Sequence, residues 1–529
     1  MTLATPAQNQ PPPAPLPRGE GDLTGRERIF SNILHSWGGY LIVFLAGFIM
    51  PRLIDQNVGQ VGLGVWDFSW SFVNYMRMTM LGLGSSVNRY VARYRAVQDT
   101  DRLNQTVSTV MILQINVAVL VLSLSALLAW LLPHFFQDRL GDQTSTARWV
   151  VFFLGAALSV SMLCDTSRGV ITGCHRWDLH NLIHSSAQLT ELLCMLMVFS
   201  CGGGLRALSV VVLAVESGAG LSRTLVSRRI CPELHTSLSF FRAKIAKEVY
   251  RFGAKTFIFG LPPLILVQTT NMFVVGTLGP AALAVFSRSL ALVRHVETFI
   301  GKFAFILAPT AGSLQSLGNQ EELRRFFLSA SRYGVAFTMP ILLLLILYGD
   351  LVLNLWMGTR YTGNAALMIL ALGYFLPISQ SSVREVLTGL NQHGKIGLFT
   401  CCLSLALFIA GSLFFIQAGW TLNRAAILLA LCLGLGIGIA PAYRACNSLN
   451  VPYIEYLRSS FAMPACCNAA FVLCLAAFRF LLGGSHPIIV LILGSSLSGI
   501  VLLALYLRYV FPAGTWAGII ARCTRSTRT

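Results

Sequence analysis

The chain has 529 residues, 55% of them hydrophobic and 11% charged, with 39 Lys and Arg against 21 Asp and Glu for a formal net charge of +18. Soluble domains carry about a quarter charged residues, so this balance, with a mean hydropathy of +0.67, excludes an ordinary soluble domain and indicates an integral membrane protein. The basic excess is spread over many short segments, which argues against a nucleic-acid surface and for loops retained on the cytoplasmic side of a membrane.

Residues 1–28 form a Pro-rich tail, expected to be disordered because it cannot bury a core. The first apolar run starts near Ile33 and has no small-residue cleavage site after it, so it reads as a retained helix and not a signal peptide. Runs of about 20 apolar residues, enough to cross roughly 30 Å of hydrocarbon, then recur to the end. They predict an all-α protein with about fourteen spans, at 32–51, 64–87, 107–132, 148–172, 182–203, 207–227, 252–277, 281–305, 331–353, 365–388, 397–417, 424–445, 461–482 and 487–510. With the N-terminus in the cytoplasm, most Lys and Arg fall on the inside, the richest stretch being 223–255, and both termini are cytoplasmic. The longest outer loop is expected at 133–147, too short for an extracellular catalytic domain.

Two hexamers, RGVITG at 168–173 and REVLTG at 384–389, end corresponding spans. VGQVGLGVW at 58–66 aligns with LGPAALAVF at 278–286, pairing Gly59 with Gly279, and DTDRL at 99–103 aligns with NQEEL at 319–323. Three matches at nearly one spacing indicate an internal duplication. Six spans per unit is an even number, so the two units are parallel repeats. The expected organisation is a first lobe at 29–228, a cytoplasmic linker at 229–251, a second lobe at 252–446, two further helices at 447–511 and a basic cytoplasmic tail at 512–529.

Charges within spans are costly, at about 2.5–3.5 kcal/mol each on insertion scales, and persist where they face water or a partner. In the eighth span Arg288, His295 and Lys302 are seven residues apart and share a stripe, with Arg294 at its flank. This reads as a cationic cavity wall or as a set of helix–helix salt bridges. In the second span Asp67, Trp70, Ser71, Asn74 and Arg77 cover one face. Aromatic and amide groups beside a cation suit a sugar, although Asp67 and Arg77 could each pair with a neighbouring helix. His35 could join that face or be structural. Pro262 and Pro263 predict a kink in the seventh span, either a moving wall or a packing feature. Glu191 and Glu216, mid-span, are candidates for a coupling proton or for pairing with arginine. Arg168 and Arg384 read as inter-helix latches beside Asp165 and Glu385, or as snorkelling cations. The thirteen cysteines show no CxxC or Cys/His ligand spacing, so neither a metal nor a disulfide framework is expected. No P-loop motif occurs, and no cofactor is implied.

The two-lobed layout with a final pair resembles the multidrug/oligosaccharidyl-lipid/polysaccharide exporter superfamily. The stretches MPRLIDQNVGQVGLGVWDFSWSFVNY, GLGSSVNRYVARYRAVQDTDRLNQTVST and TGCHRWDLHNLI resemble its polysaccharide transporter branch, which includes the O-antigen flippases usually called Wzx. The resemblance covers about residues 30–510. It implies a bacterial inner-membrane flippase that moves an undecaprenyl-pyrophosphate-linked oligosaccharide between leaflets, among membrane lipids, with a polysaccharide polymerase and chain-length proteins as possible partners. Many members of the branch carry an acidic residue in the seventh span where this chain has Asn271, which sets Asn271 beside Glu191 and Glu216 as a coupling position but puts a carboxylate-based mechanism there in doubt. A peptidoglycan-precursor flippase and a cation-coupled multidrug antiporter share the layout and stand as alternatives. The basic bias of the spans argues against the antiporter.

Overall fold

A computed structural model describes residues 29–80 and 83–511, and their side chains except at 29–36, 83–86, 252–259, 393 and 395. The expected tails, 1–28 and 512–529, and the side chain of His35 lie outside the described residues. Among the described residues every regular element is helical. Eleven stretches among the described residues are long and apolar enough to cross a membrane. Two of them, Trp37–Met80 and Thr100–Leu163, have 44 and 64 residues, at least twice the roughly 20 that a bilayer needs, and each holds two spans. The eighth expected span is helical throughout but too charged to qualify on composition.

The first half comprises α1 (Ile29–Met76), α2 (Leu83–Ala96), α3 (Thr100–Leu140), α4 (Thr144–Leu163), α5 (Asp165–Gly173), α6 (Trp177–Ser200) and α7 (Leu205–Ile230). The second comprises α8 (Ala243–Leu278), α9 (Pro280–Ala304), α10 (Leu307–Ser316), α11 (Gln320–Met357), α12 (Ala366–Ser379), α13 (Ser381–Gly389), α14 (His393–Ala418), α15 (Leu422–Leu433) and α16 (Ala440–Ser448), with a π-helical stretch at Gly434–Ile439. After these come α17 (Tyr453–Leu457), α18 (Met463–Leu481) and α19 (Pro487–Tyr509).

The duplication read from sequence reappears in the backbone. Gly59 breaks α1 at φ 74° and ψ 173°, and Gly279 separates α8 from α9 at φ 87° and ψ 173°. That region is essentially open to glycine alone. Asp99 caps α3 at φ −87° and ψ 79°, accepting a hydrogen bond from the Arg102 amide; Asn319 caps α11 at φ −82° and ψ 79°, accepting from the Glu322 amide. The two hexamers lie in the short helices α5 and α13, each following a break in a span, at Cys164 and at Gln380. His175 and Asn391, just beyond them, both have positive φ.

Several boundaries differ from the periodicity reading. The second span ends as an α-helix at Met76 and passes into a 3-10 turn at Arg77–Met80, short of 87. The spans expected at 148–172 and 365–388 are each broken into two helices, and the helix expected at 424–445 contains the π-helical turn. The loop expected at 133–147 is mostly helix, because α3 continues through Pro133 to Leu140. Likewise α8 continues as a helix through Pro262 and Pro263.

The final pair packs outside the two halves. α18 and α19 pack on each other and on α11. Tyr348 donates to the Leu475 carbonyl at 2.9 Å and Tyr506 to the Ala336 carbonyl at 2.9 Å. The largest apolar core runs between the halves, where α1 meets α8 and α9. Close approach there is set by Gly64, whose missing Cβ leaves room for the Pro280 carbonyl.

Candidate functional site

The first half encloses a cavity of about 270 Å³ between α1, α4, α5, α6 and α7. Each wall contributes polar groups at helical spacing. α1 supplies Trp70, and Arg77 follows in the 3-10 turn; α5 supplies Asp165 and Arg168; α6 supplies His180, His184, Gln188 and Glu191; α7 supplies Glu216 and Arg223. α5 begins just after the break at Cys164, and its Asp165 and Arg168 line the cavity.

Charge pairing accounts for four of these groups. Arg223 donates to Glu216 at 2.7 Å along α7. Arg168 pairs with Asp165, whose buried carboxylate also accepts from Gln114 of α3 at 3.2 Å. Gln188 donates weakly to Glu191 at 3.4 Å. Arg77 has no ion-pair partner among the described residues, and its guanidinium reaches the open cavity. The cavity wall therefore carries three arginines, two histidines and three carboxylates, a lining of both signs.

The expected α9 stripe lies elsewhere. Arg288 is buried at the boundary between the halves, where its Nη2 donates to both carboxylate oxygens of Asp67 at 2.8 Å. Trp356 covers the guanidinium at 5.9 Å. His295 stacks on Phe48, with ring centres 4.9 Å apart, and sits against Gly47. Arg294 and Lys302 are exposed. The structure thus brings Trp70, Arg77, Glu191 and Glu216 to one cavity and does not bring Arg288, Arg294, His295 or Lys302 to it. Asn74 is half-buried one turn from Trp70 and is not among the cavity-lining residues.

One face of α1 joins the halves by three polar contacts on successive turns. Asp67 meets Arg288, Ser71 accepts from Asn271 at 3.0 Å, and Tyr75 bonds Thr269. Nearer the Gly59 turn, Tyr361 donates to Asp55 at 2.6 Å, Arg360 lies 3.5 Å from it, and the Trp356 indole donates to the Phe48 carbonyl at 2.7 Å. A buried charge pair is worth little in net stability but costly to break one-sidedly, by about 3–5 kcal/mol. These contacts therefore hold the halves together at this end as a set.

Of the α6 wall, the sequence reading singled out Glu191 and passed over His180, His184 and Gln188. His180, His184, Gln188 and Glu191 recur at four, four and three residues, a helical stripe that was visible in HNLIHSSAQLTE. Arg168, expected to be an inter-helix latch or a snorkelling cation, pairs within its own helix and lines the cavity instead; the contact between helices is made by Asp165. Its counterpart Arg384 donates to the Pro377 carbonyl at 2.7 Å, across the break between α12 and α13.

A family model described as "Polysaccharide biosynthesis protein" matches residues 76–366, more than half of the chain. The chain belongs to this family. The membrane protein EpsK of Bacillus subtilis (strain 168) is 22% identical to this chain over 374 residues, covering 69% of this chain and 72% of that one. The fold is shared with solved transporters of the MOP superfamily. A Lipid II flippase MurJ in an inward closed conformation superposes with a TM-score of 0.67 at 11% identity, over 90% of this chain and 99% of that one. A multidrug resistance MATE family transporter in an inward-facing conformation gives 0.65 at 14% identity, over 78% and 95%. The chain is thus a member of the polysaccharide biosynthesis family, helical throughout its described elements, with a fold shared with solved flippase and multidrug-transporter structures.

Proposed function

We propose that this polysaccharide-family transporter is a flippase for an undecaprenyl-pyrophosphate-linked oligosaccharide, carrying the head group from the cytoplasmic to the periplasmic leaflet of a bacterial inner membrane. Both termini are cytoplasmic in this reading, and a polymerase and chain-length proteins are its working partners. The observation that carries it is Arg77, a cation in a polar cavity with no ion-pair partner among the described residues. An unpaired arginine near hydrocarbon is costly, and an anionic head group offsets that cost. Guanidinium groups match phosphate oxygens in pairs of hydrogen bonds, so Arg77, with Arg168 beside it, receives the pyrophosphate. Trp70 offers an apolar ring to a sugar face, and Gln188 and His184 offer hydrogen bonds to its hydroxyls. The prenyl chain stays in lipid while the halves rock about the boundary. In this reading a coupling proton is carried by Glu191, with Glu216 held by Arg223 as the second candidate.

Complementation of a strain lacking this transporter tests the reading. Arg77→Ala and Trp70→Ala are expected to insert at normal level and to lose surface polysaccharide. Full surface polysaccharide in the Arg77→Ala/Arg168→Ala double variant would overturn the assignment. Loss of peptidoglycan precursor export, with surface polysaccharide intact, would move the substrate to the peptidoglycan pathway.

A further inference from the structure

The Asp67–Arg288 contact is incomplete as a salt bridge. A guanidinium presents five N–H donors in a planar fork, yet of these only Nη2 meets the carboxylate, both of whose oxygens accept from it. The Arg288 Nε–H is buried and has no acceptor. One turn along α1, Asn271 spends its amide N–H on Ser71, and its Oδ1 is buried with no donor. Arg288 itself is 6% exposed and Asn271 7%. Two unsatisfied polar atoms therefore accompany the contacts that join the halves. Asp67 also makes the ion pair between α1 of the first half and α9 of the second.

We infer that Asp67 is an internal stand-in for a phosphate: it occupies Arg288 while the halves are clasped, and an anionic phosphate of the substrate replaces it when they part. This rests on the reading of the chain as a carrier of a phosphate-linked lipid. Parting the halves without a replacement strands a buried arginine, so the clasp resists opening when empty. A phosphate group offers more oxygens than Asp67 engages and can accept from Nε as well as from Nη2. The incoming anion thereby releases the carboxylate and, with it, the neighbouring Ser71–Asn271 and Tyr75–Thr269 contacts. Opening of this boundary is then linked to the presence of an anionic head group, because a ligand shifts a two-state equilibrium only by its difference in affinity for the two states. Arg77 receives the head group in the cavity; Arg288 reads its charge at the clasp.

The test uses the full-length protein in lipid nanodiscs, with inorganic pyrophosphate and, separately, a polyprenyl pyrophosphate as probes. Asp67→Asn removes the internal competitor and is expected to bind either probe about tenfold more tightly than wild type. Asp67→Asn/Arg288→Gln is expected to lose that gain. In the wild type, either probe is expected to lengthen the distance between spin labels at Gln56 and Thr359, two exposed positions flanking the Asp55–Tyr361 contact; this readout does not depend on the variants folding. The charge swap Asp67→Arg/Arg288→Asp is expected to recover thermal stability without recovering transport. Unchanged affinity in a folded Asp67→Asn protein, or no change in label distance, would overturn the inference, as would normal transport by the charge swap. A gain with inorganic pyrophosphate but none with the polyprenyl form supports the gate and instead counts against the lipid-linked substrate.

Discussion

Gly59 and Gly279 adopt the same backbone conformation, φ 74° and 87° with ψ 173° at both, 220 residues apart in the chain. Each makes the turn that sends one membrane helix into the next, so the duplication is written into backbone angles that only glycine adopts without strain. Gly59→Ala and Gly279→Ala are each expected to destabilise the protein by about 1–3 kcal/mol. Gly218→Ala, at an open helical position in α7, is expected to be neutral or slightly stabilising. Thermal melting in detergent reads all three. Equal melting temperatures for the Gly59→Ala and wild-type proteins would remove the strain argument.

At Arg77 the distinction is between charge and geometry. Arg77→Lys keeps the cation but loses the planar fork. It is expected to retain part of the transport activity if attraction to an anion suffices, and to behave as Arg77→Ala if paired hydrogen bonds are required. Surface polysaccharide, measured at matched protein level, separates the two.

How far the sequence could be read depended on what each signal encodes. Span number, the repeat and the paired Gly59 and Gly279 were legible because apolar length and glycine identity are properties of the chain itself. The breaks at Cys164 and Gln380 were not, since polar runs such as Asp165–Arg168 and Ser379–Ser382 also occur within unbroken helices and tertiary packing decides where the helix bends. The stripe of Arg288, His295 and Lys302 was read correctly as one face of a helix, but periodicity does not say what a face meets. The cost of burying Arg288 is offset by Asp67 on another helix, 221 residues away, and His295 is packed among Phe44 and Phe48. Conversely, Arg77, Glu191 and Glu216 share a cavity because α1, α6 and α7 converge, and no local spacing carries that information.

Within the cavity, Arg223 and Glu216 are the pair most dependent on each other. Their side chains are 8% and 24% exposed. Glu216→Gln leaves Arg223 buried without its counter-charge, which is expected to cost about 3 kcal/mol or more. Glu191→Gln leaves no such orphan and is expected to have little effect on stability, so a loss of transport in that variant alone would identify Glu191 as the coupling group. Melting temperature and transport, measured on both variants, make the comparison.

Outside the membrane-spanning segments, Arg95 of α2 holds Glu233, just after α7, at 2.7 Å. Burial works against the Glu233 charge, but its own backbone hydrogen bond and the Arg95 guanidinium outweigh it and keep the carboxyl below its ordinary value. A depressed acid stabilises the fold above its unfolded value, about 4.3, and that contribution is lost as pH falls through the lower folded value. Wild type is therefore expected to lose more stability than Arg95→Gln as pH falls from about 6 toward 3. Parallel pH dependence in the two proteins would show that the pair contributes nothing measurable.

The most direct measurement is of lipid movement itself. Purified protein in liposomes, given a fluorescent polyprenyl-pyrophosphate oligosaccharide in one leaflet, is read by the fraction that a membrane-impermeant quencher can reach over time. The expected result is transfer between leaflets by wild type, loss of transfer in Arg77→Ala, and no export of a cationic dye by either protein. Absence of lipid-linked sugar transfer by an active, correctly inserted wild-type protein, or export of the cationic dye in its place, would contradict the assignment of this cavity to an anionic lipid-linked head group.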